Sequence, residues 1–282
     1  MLIDFHTHIF PEKIAAKTLE LLAGRSSSRP FTDGMRGGLL SSMKEAGVDI
    51  SVVLPVVTKP SQFDSINAFA AEVNKTPGLI SFGGIHPDCE NPEEKLDFLA
   101  GAGFRGIKLH PDYQGVYIDD DRYIRIIRHA VSLGLCVVLH SGVDVGLPDP
   151  VHCPPERAAR MLDAVYPDGK IEKPLIVFAH SGAYQMTGQV KKYLCGKNVW
   201  FDLAYTLGKY DDETSLDIIR AHGADRILFA TDSPWSPQPE DAARLLRLGL
   251  TEEEEELIRW KNAAGLLGLT EDELKIKAAA VR

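Results

Sequence analysis

The chain has 282 residues, 44% of them hydrophobic and 25% charged, the composition of a folded protein with room for a sizeable core. A net charge of -9, with no cluster of lysine and arginine, argues against nucleic acid as a partner and leaves small molecules. Four scattered cysteines, Cys89, Cys136, Cys153 and Cys195, form no C-x-x-C pair, so neither a zinc ribbon nor a disulfide framework is expected. Reduced thiols in a cytoplasmic protein are the expectation. The opening MLIDFHTH lacks a basic and an apolar leader region, and no apolar run approaches a membrane span, so no membrane partner is expected either.

Eight short segments rich in Val, Ile, Leu and Phe read as strands: residues 2–6, 50–57, 79–85, 104–109, 135–140, 175–180, 199–203 and 227–232. Between most of them lie stretches of helical period, such as SINAFAAEVNK, NPEEKLDFLAGAG and DDRYIRIIRHAVSLG. This alternation over one chain predicts an α/β protein, a single-domain (β/α)8 TIM barrel spanning residues 1–282 with terminal packing helices. No glycine-rich phosphate loop follows the first strand. Two connections are long: residues 9–49, which include the helical pattern PEKIAAKTLELLAG, and residues 141–155, rich in Gly and Pro. Both follow strand C-termini, where barrels build their sites. In the acidic run TEEEEEL, Thr251 is expected to cap a helix with Glu254 at the reciprocal position, followed by the apolar IRWKNAAGLLGL.

Polar residues interrupt the strands at their C-terminal ends. These are His6 and His8 in HTH, His86 in GIHP, Lys108 and His110 in KLHP, His140 in LHSG, His180 in AHSG, and Asp232 in TDSPW. In a barrel all of these ends open onto one mouth, so the groups converge although they are scattered along the chain. The strand period of two places His6 and His8 on one face, within reach of one cation, and imidazole with one carboxylate is a usual catalytic zinc set. Lys108 raises a separate question, because alternation points it inward while Ile107 and Leu109 point the other way.

In these motifs the chain resembles the amidohydrolase superfamily of metal-dependent barrels. HTHIFP, GIHP, GFRGIKLHP, the HSG turn, TDSPW and NAAGLLGL resemble its amidohydrolase 2 branch, which includes aminocarboxymuconate semialdehyde decarboxylase and related hydrolases. The resemblance implies two arrangements. In one, His6, His8, His140 and Asp232 hold a single metal and His180 serves as acid or base. In the other, His140 and His180 hold a second ion, bridged to the first by a carbamylated Lys108. The metal types expected are zinc, manganese or iron, as one or two ions.

The leading expectation is a hydrolase in which a metal-activated water, with Asp232 as base, attacks an amide, lactone or ester of a small molecule. The alternative is nonoxidative decarboxylation of an unsaturated or aromatic acid, with His180 and Arg29 or Arg36 assisting. A third reading is a non-catalytic metal-binding barrel. His86, His110 and Trp235 are candidates for substrate contact. His129, His152 and His222 lie away from strand ends and read as ordinary, while Ser141 and Ser181 are expected to bond local backbone. The ligand types leave oligomeric state open, a homo-oligomer included.

Overall fold

The apolar runs form strands that are shorter than their sequence patterns. The computed structural model describes residues 1–279 and contains β1 (Ile3–Thr7), β2 (Ile50–Val53), β3 (Leu79–Ser81), β4 (Gly83–Gly84), β5 (Gly106–Leu109), β6 (Cys136–Leu139), β7 (Ile176–Phe178), β8 (Trp200–Asp202) and β9 (Ile227–Leu228). Residues 280–282, the end of the expected domain, lie outside the described residues. Neighbouring strands pair in parallel in chain order, β1 to β3 and β4 to β9. β3 and β4 are two pieces of one barrel position broken at Phe82, whose N–H donates to Val53 O at 2.9 Å. The barrel closes where the Phe5 N–H donates to Phe229 O at 2.9 Å and the Asp232 N–H to His6 O at 2.8 Å.

Alternation sorts the strand side chains into two layers. Phe5, Val52, Phe82, Val138 and Val177 pack together inside the barrel, while Ile107, Leu109, Val137, Leu139 and Phe178 pack with the surrounding helices. Lys108 pairs in register with Val138 and is 1% exposed, so it does point inward, as its sequence spacing predicts. β1 departs from simple alternation. Its ladder to β2 slips between Asp4 and Thr7, and this irregularity lets His6 follow Phe5 to the inner side.

Two strands, β7 and β9, stop short of left-handed backbone at the mouth. His180, Ser181 and Asp232 have φ of 62°, 57° and 70°, in the left-handed region that non-glycine residues seldom occupy. Such strain persists where neighbouring contacts hold it: the His180 N–H donates to Asp202 Oδ1 at 2.9 Å, and the Ser181 N–H to Asp202 O at 2.6 Å.

The predicted helices form at Phe63–Val73, Pro92–Gly101 and Asp121–Ser132, the last capped by Asp120, whose side chain accepts from the Arg122 N–H at 3.0 Å. Thr251 and Glu254 make the reciprocal cap: the Thr251 N–H donates to Glu254 Oε2 at 2.8 Å and the Glu254 N–H to Thr251 Oγ1 at 3.2 Å. The following apolar stretch is not one regular helix. A π-helical turn, Leu257–Lys261, precedes the helix Asn262–Leu267, and the Asn262 amide donates to Ala224 O and Ile227 O at 2.8 and 2.7 Å. That anchor presses Ala263, Ala264 and Leu267 against the residues inside the barrel. Among the described residues no helix is long and apolar enough to cross a membrane.

Candidate metal centre and cavity

Hydrogen-bond partners fix the imidazole tautomers at the barrel mouth. His8 Nδ1 faces the carbonyl of Leu54 at 2.8 Å, and a carbonyl only accepts, so that nitrogen carries hydrogen. His6 Nδ1 donates to Asp202 Oδ2 at 2.8 Å. Both Nε2 atoms are therefore lone pairs, yet they lie 3.1 Å apart. Asp232 Oδ1 joins them, 3.1 Å from His8 Nε2 and 3.4 Å from His6 Nε2. Three electron-pair donors with no hydrogen among them repel one another, and a divalent cation resolves the conflict. The rings of His6 and His8 are inclined at 72°, so both ring planes can contain one ion. Residues present thus fit a metal.

A second set of three ligand groups, His110, His140 and Asp144, also converges among the described residues. Its ring geometry is different. His110 and His140 stack with centroids 4.0 Å apart and planes 8° from parallel, so their in-plane lone pairs run side by side and do not meet at a point. His110 Nδ1 accepts from the Tyr113 N–H at 3.4 Å, leaving its Nε2–H to face Asp144 Oδ2 at 3.5 Å. Of the two sets, His6, His8 and Asp232 is the one whose donor atoms could share an ion.

His140 and His180, expected as ligands from the resemblance, bond each other: His140 Nδ1 and His180 Nε2 are 2.9 Å apart. His180 Nδ1 donates to Ala204 O at 3.0 Å, so its Nε2 accepts from His140. The remaining nitrogen, His140 Nε2, is buried without a hydrogen-bond partner, as is Asp112 Oδ2, 3.9 Å away. Asp144 Oδ2 lies 3.8 Å from the same nitrogen. Burial pushes both Asp112 and Asp144 up from the ordinary carboxylate range, which favours a proton residing in this cluster.

Lys108 Nζ is 3.3 Å from His6 Nε2. Burial lowers its pKa to about 8, against the opposing charges of Asp202 and Asp232. Burial also holds His6 well below its usual range, with Lys108 acting in the same direction. Asp232 shows the reverse balance: burial pushes it up, but the neighbouring His8 and His6 hold it below the ordinary value.

These groups form the polar end of a cavity of about 940 Å³. His6, His8, Lys108, His110, His140, His180, Asp232 and Trp235 all line it, so the mouth gathers them as the strand ends predict. His86 does not line it. That side chain turns into its own loop, where Nδ1 accepts from the Asp88 N–H at 3.1 Å. Arg29 and Arg36 are also outside the lining, whereas Arg25, from the helix Glu12–Ser26, contributes to it. Ser141 and Ser181 bond beyond their own loops, to Ala179 O at 2.8 Å and Thr206 Oγ1 at 2.7 Å. His222 stacks on Phe201 in the core and His129 pairs with Asp97, as ordinary residues do. His152, by contrast, bonds Asp112 Oδ1 at 3.1 Å and so supports the cluster around His140.

Asp202, Asp112, Asp144 and Arg25 are the residues that strand-end reasoning missed. Only Asp202 carries a visible signal, a carboxylate inside an otherwise apolar strand that is 0% exposed.

The sequence model of the amidohydrolase family, amidohydrolase 2 branch, matches residues 3–269, and the chain belongs to that family of enzymes. No curated protein matches it. Among solved structures, 2,6-dihydroxybenzoate decarboxylase complexed with 2,6-dihydroxybenzoate is similar at 16% identity and a TM-score of 0.70, over 95% of this chain and 99% of that one. A 5-carboxyvanillate decarboxylase from Novosphingobium aromaticivorans, complexed with manganese and 4-hydroxy-3-methoxy-5-nitrobenzoic acid, matches at 16% identity and 0.70, over 95% and 96%. An uncharacterized TIM-barrel protein from Bordetella bronchiseptica matches at 19% identity and 0.73, over 99% of both chains. At these identities the likeness shows the shared barrel.

Proposed function

We propose that this chain is a metal-dependent nonoxidative decarboxylase of an aromatic or unsaturated carboxylic acid. The observation that carries this reading is the 2.9 Å hydrogen bond between His140 Nδ1 and His180 Nε2. A second ion bridged by a Lys108 carbamate would need a lone pair from His180, and neither of its nitrogens offers one: Nε2 accepts from His140 and Nδ1 donates to Ala204 O. That favours one ion beside an unmodified lysine, which is near the one-metal arrangement the resemblance associates with decarboxylation but departs from it in turning His140 toward His180. The solved decarboxylases of aromatic acids with the same barrel support it. Hydrolysis, the leading expectation from the sequence, is supported by no comparable feature.

A divalent ion on His6, His8 and Asp232 would supply a Lewis acid that holds a substrate oxygen and draws electron density from the adjoining carbon framework. Lys108 is the buried cation available to a substrate carboxylate, and its ammonium form is favoured when an anion joins it. A substrate covering the apolar wall would desolvate its own carboxylate, which disfavours that localised charge relative to the charge dispersed over the carbon framework as neutral carbon dioxide departs. As the C–C bond breaks, its electron pair stays on the carbon framework and must take a proton. His180 Nε2 bears no hydrogen of its own, because its hydrogen is on Nδ1 and held on Ala204 O, so it delivers the proton that it first receives from His140 Nδ1. His140 Nδ1 reloads that nitrogen, and the Asp112 and Asp144 carboxyls behind His140 replace the proton it gives up.

The test is to load the chain with manganese or zinc and offer matched panels of aromatic and unsaturated acids, esters, lactones and amides. Carbon dioxide release from an acid is the expected result. Turnover confined to the esters, lactones or amides would overturn the reading.

A further inference from the structure

The helix Glu12–Ser26 shows apolar residues on two faces, and only one of them is covered. Ala15 and Leu19 are buried, at 1% and 7% exposure, with Leu19 beside Gly34 of the following loop. Ile14 and Leu21, seven positions apart and therefore on one stripe, are 51% and 52% exposed. Thr18, Leu22 and Arg25 continue this stripe, and all five residues line the cavity that holds His6, His8 and Asp232. Val145, of the long loop after β6, is 37% exposed and lines it as well, and its neighbour Gly146 lies beside Arg25 and Ser26 at the end of this helix. Half-exposed aliphatic side chains lining the cavity that holds the candidate ligand set are a surface that a ligand would desolvate.

We infer that the substrate carries an apolar extension of several carbons, which lies along Ile14, Leu21 and Val145 while its acid group reaches Lys108. This rests on the acid-binding reading above and narrows it. A cavity of about 940 Å³ is far larger than a bare benzoate requires and is continuous from the ligand set to the exposed stripe. The occupant is assigned to the substrate because the stripe and the metal ligands share one cavity wall to wall.

The experiment is calorimetric binding of 4-n-alkylbenzoic acids, from methyl to hexyl, to the manganese-loaded full chain, with the matching 4-n-alkylphenols as a second series. Each added methylene should tighten binding of the acids about fourfold until the cavity is filled. Leu21→Asp should flatten that dependence on chain length, and Ile14→Ser provides a milder variant that reads the same slope. A flat series in the wild-type chain, or an unchanged slope in both variants, overturns the inference. So does a chain-length dependence confined to the phenols, since the head group then is not an acid. A flat series together with a dimer that Leu21→Asp dissolves would assign the stripe to a second copy instead, also overturning it. If the acids show the expected slope but none releases carbon dioxide, the extension site stands and the decarboxylase reading falls.

Discussion

Asp202 holds His6 by its side chain and His180 by its backbone: Oδ2 accepts from His6 Nδ1 at 2.8 Å, and Oδ1 accepts from the His180 N–H at 2.9 Å. One buried carboxylate thereby sets the tautomer of a ligand and the position of the proposed proton donor. Asp202→Asn presents an amide that can donate to Nδ1, which favours the His6 tautomer with hydrogen on Nε2 and removes its lone pair from the centre. Metal affinity measured by competition with a chelator should fall by roughly 10- to 100-fold. An unchanged affinity would mean that Asp202 does not orient His6.

Ring geometry separates the two ligand clusters, and metal content reads the separation directly. The wild-type chain should hold one tightly bound divalent ion after dialysis, measured by elemental analysis. His8→Ala should lose it, because His8 supplies one of the three convergent donors. His110→Ala should keep it, since His110 is stacked on His140 and its Nε2–H faces Asp144. Two ions per chain, with one lost in His110→Ala, would contradict the one-metal assignment.

Lys108 should matter for the acid more than for the ion. In Lys108→Met the apolar stem is kept while the ammonium that faces the centre is removed. The KM for an acid substrate should rise about 30-fold or more, the scale on which losing one partner of a buried charge pair is felt, with metal content unchanged. Loss of the ion along with the substrate would instead point to Lys108 as a ligand.

Away from the centre, Asp241 is 2% exposed and its Oδ2 has no hydrogen-bond partner, which pushes its pKa from 3.8 to about 8, chiefly through burial and then the charge of Asp4. Because the folded chain holds this proton more tightly than the unfolded chain, stability is greatest below about pH 4 as far as this group is concerned. It is lost progressively as pH rises toward about 8. Asp241→Asn removes the ionisation. Thermal denaturation should place the variant roughly 5 °C or more above the wild type at pH 9, with the gap closing toward pH 5. A gap that does not change with pH would show that Asp241 is not the titrating group.

The barrel and much of its mouth were legible because strand ends in a (β/α)8 fold meet at one place whatever their separation in sequence. His6, His8, Lys108, His140, His180 and Asp232 follow from that rule alone. The rule does not reach side-chain direction within a loop: His86 and His110 both stand in an H-P-D segment, yet one folds back on Asp88 and the other stacks on His140. Arg25 was hidden because its reach depends on how the helix Glu12–Ser26 leans over the mouth, which Arg29 and Arg36 do not share. Asp112 and Asp144 were hidden because they sit beyond the strand ends. Strands β7 and β9 stop short of left-handed backbone at His180 and Asp232, which their residue types do not advertise.

The central claim is that the chain breaks a carbon–carbon bond without adding water across the substrate. Turnover by the metal-loaded chain in deuterium oxide enriched in oxygen-18, followed by mass spectrometry of the organic product, tests it most directly. The account predicts one deuterium at the carbon that lost the carboxylate and no oxygen-18 in the organic product. Oxygen-18 in a newly formed carboxyl or hydroxyl group, with the original carboxylate retained, would contradict it.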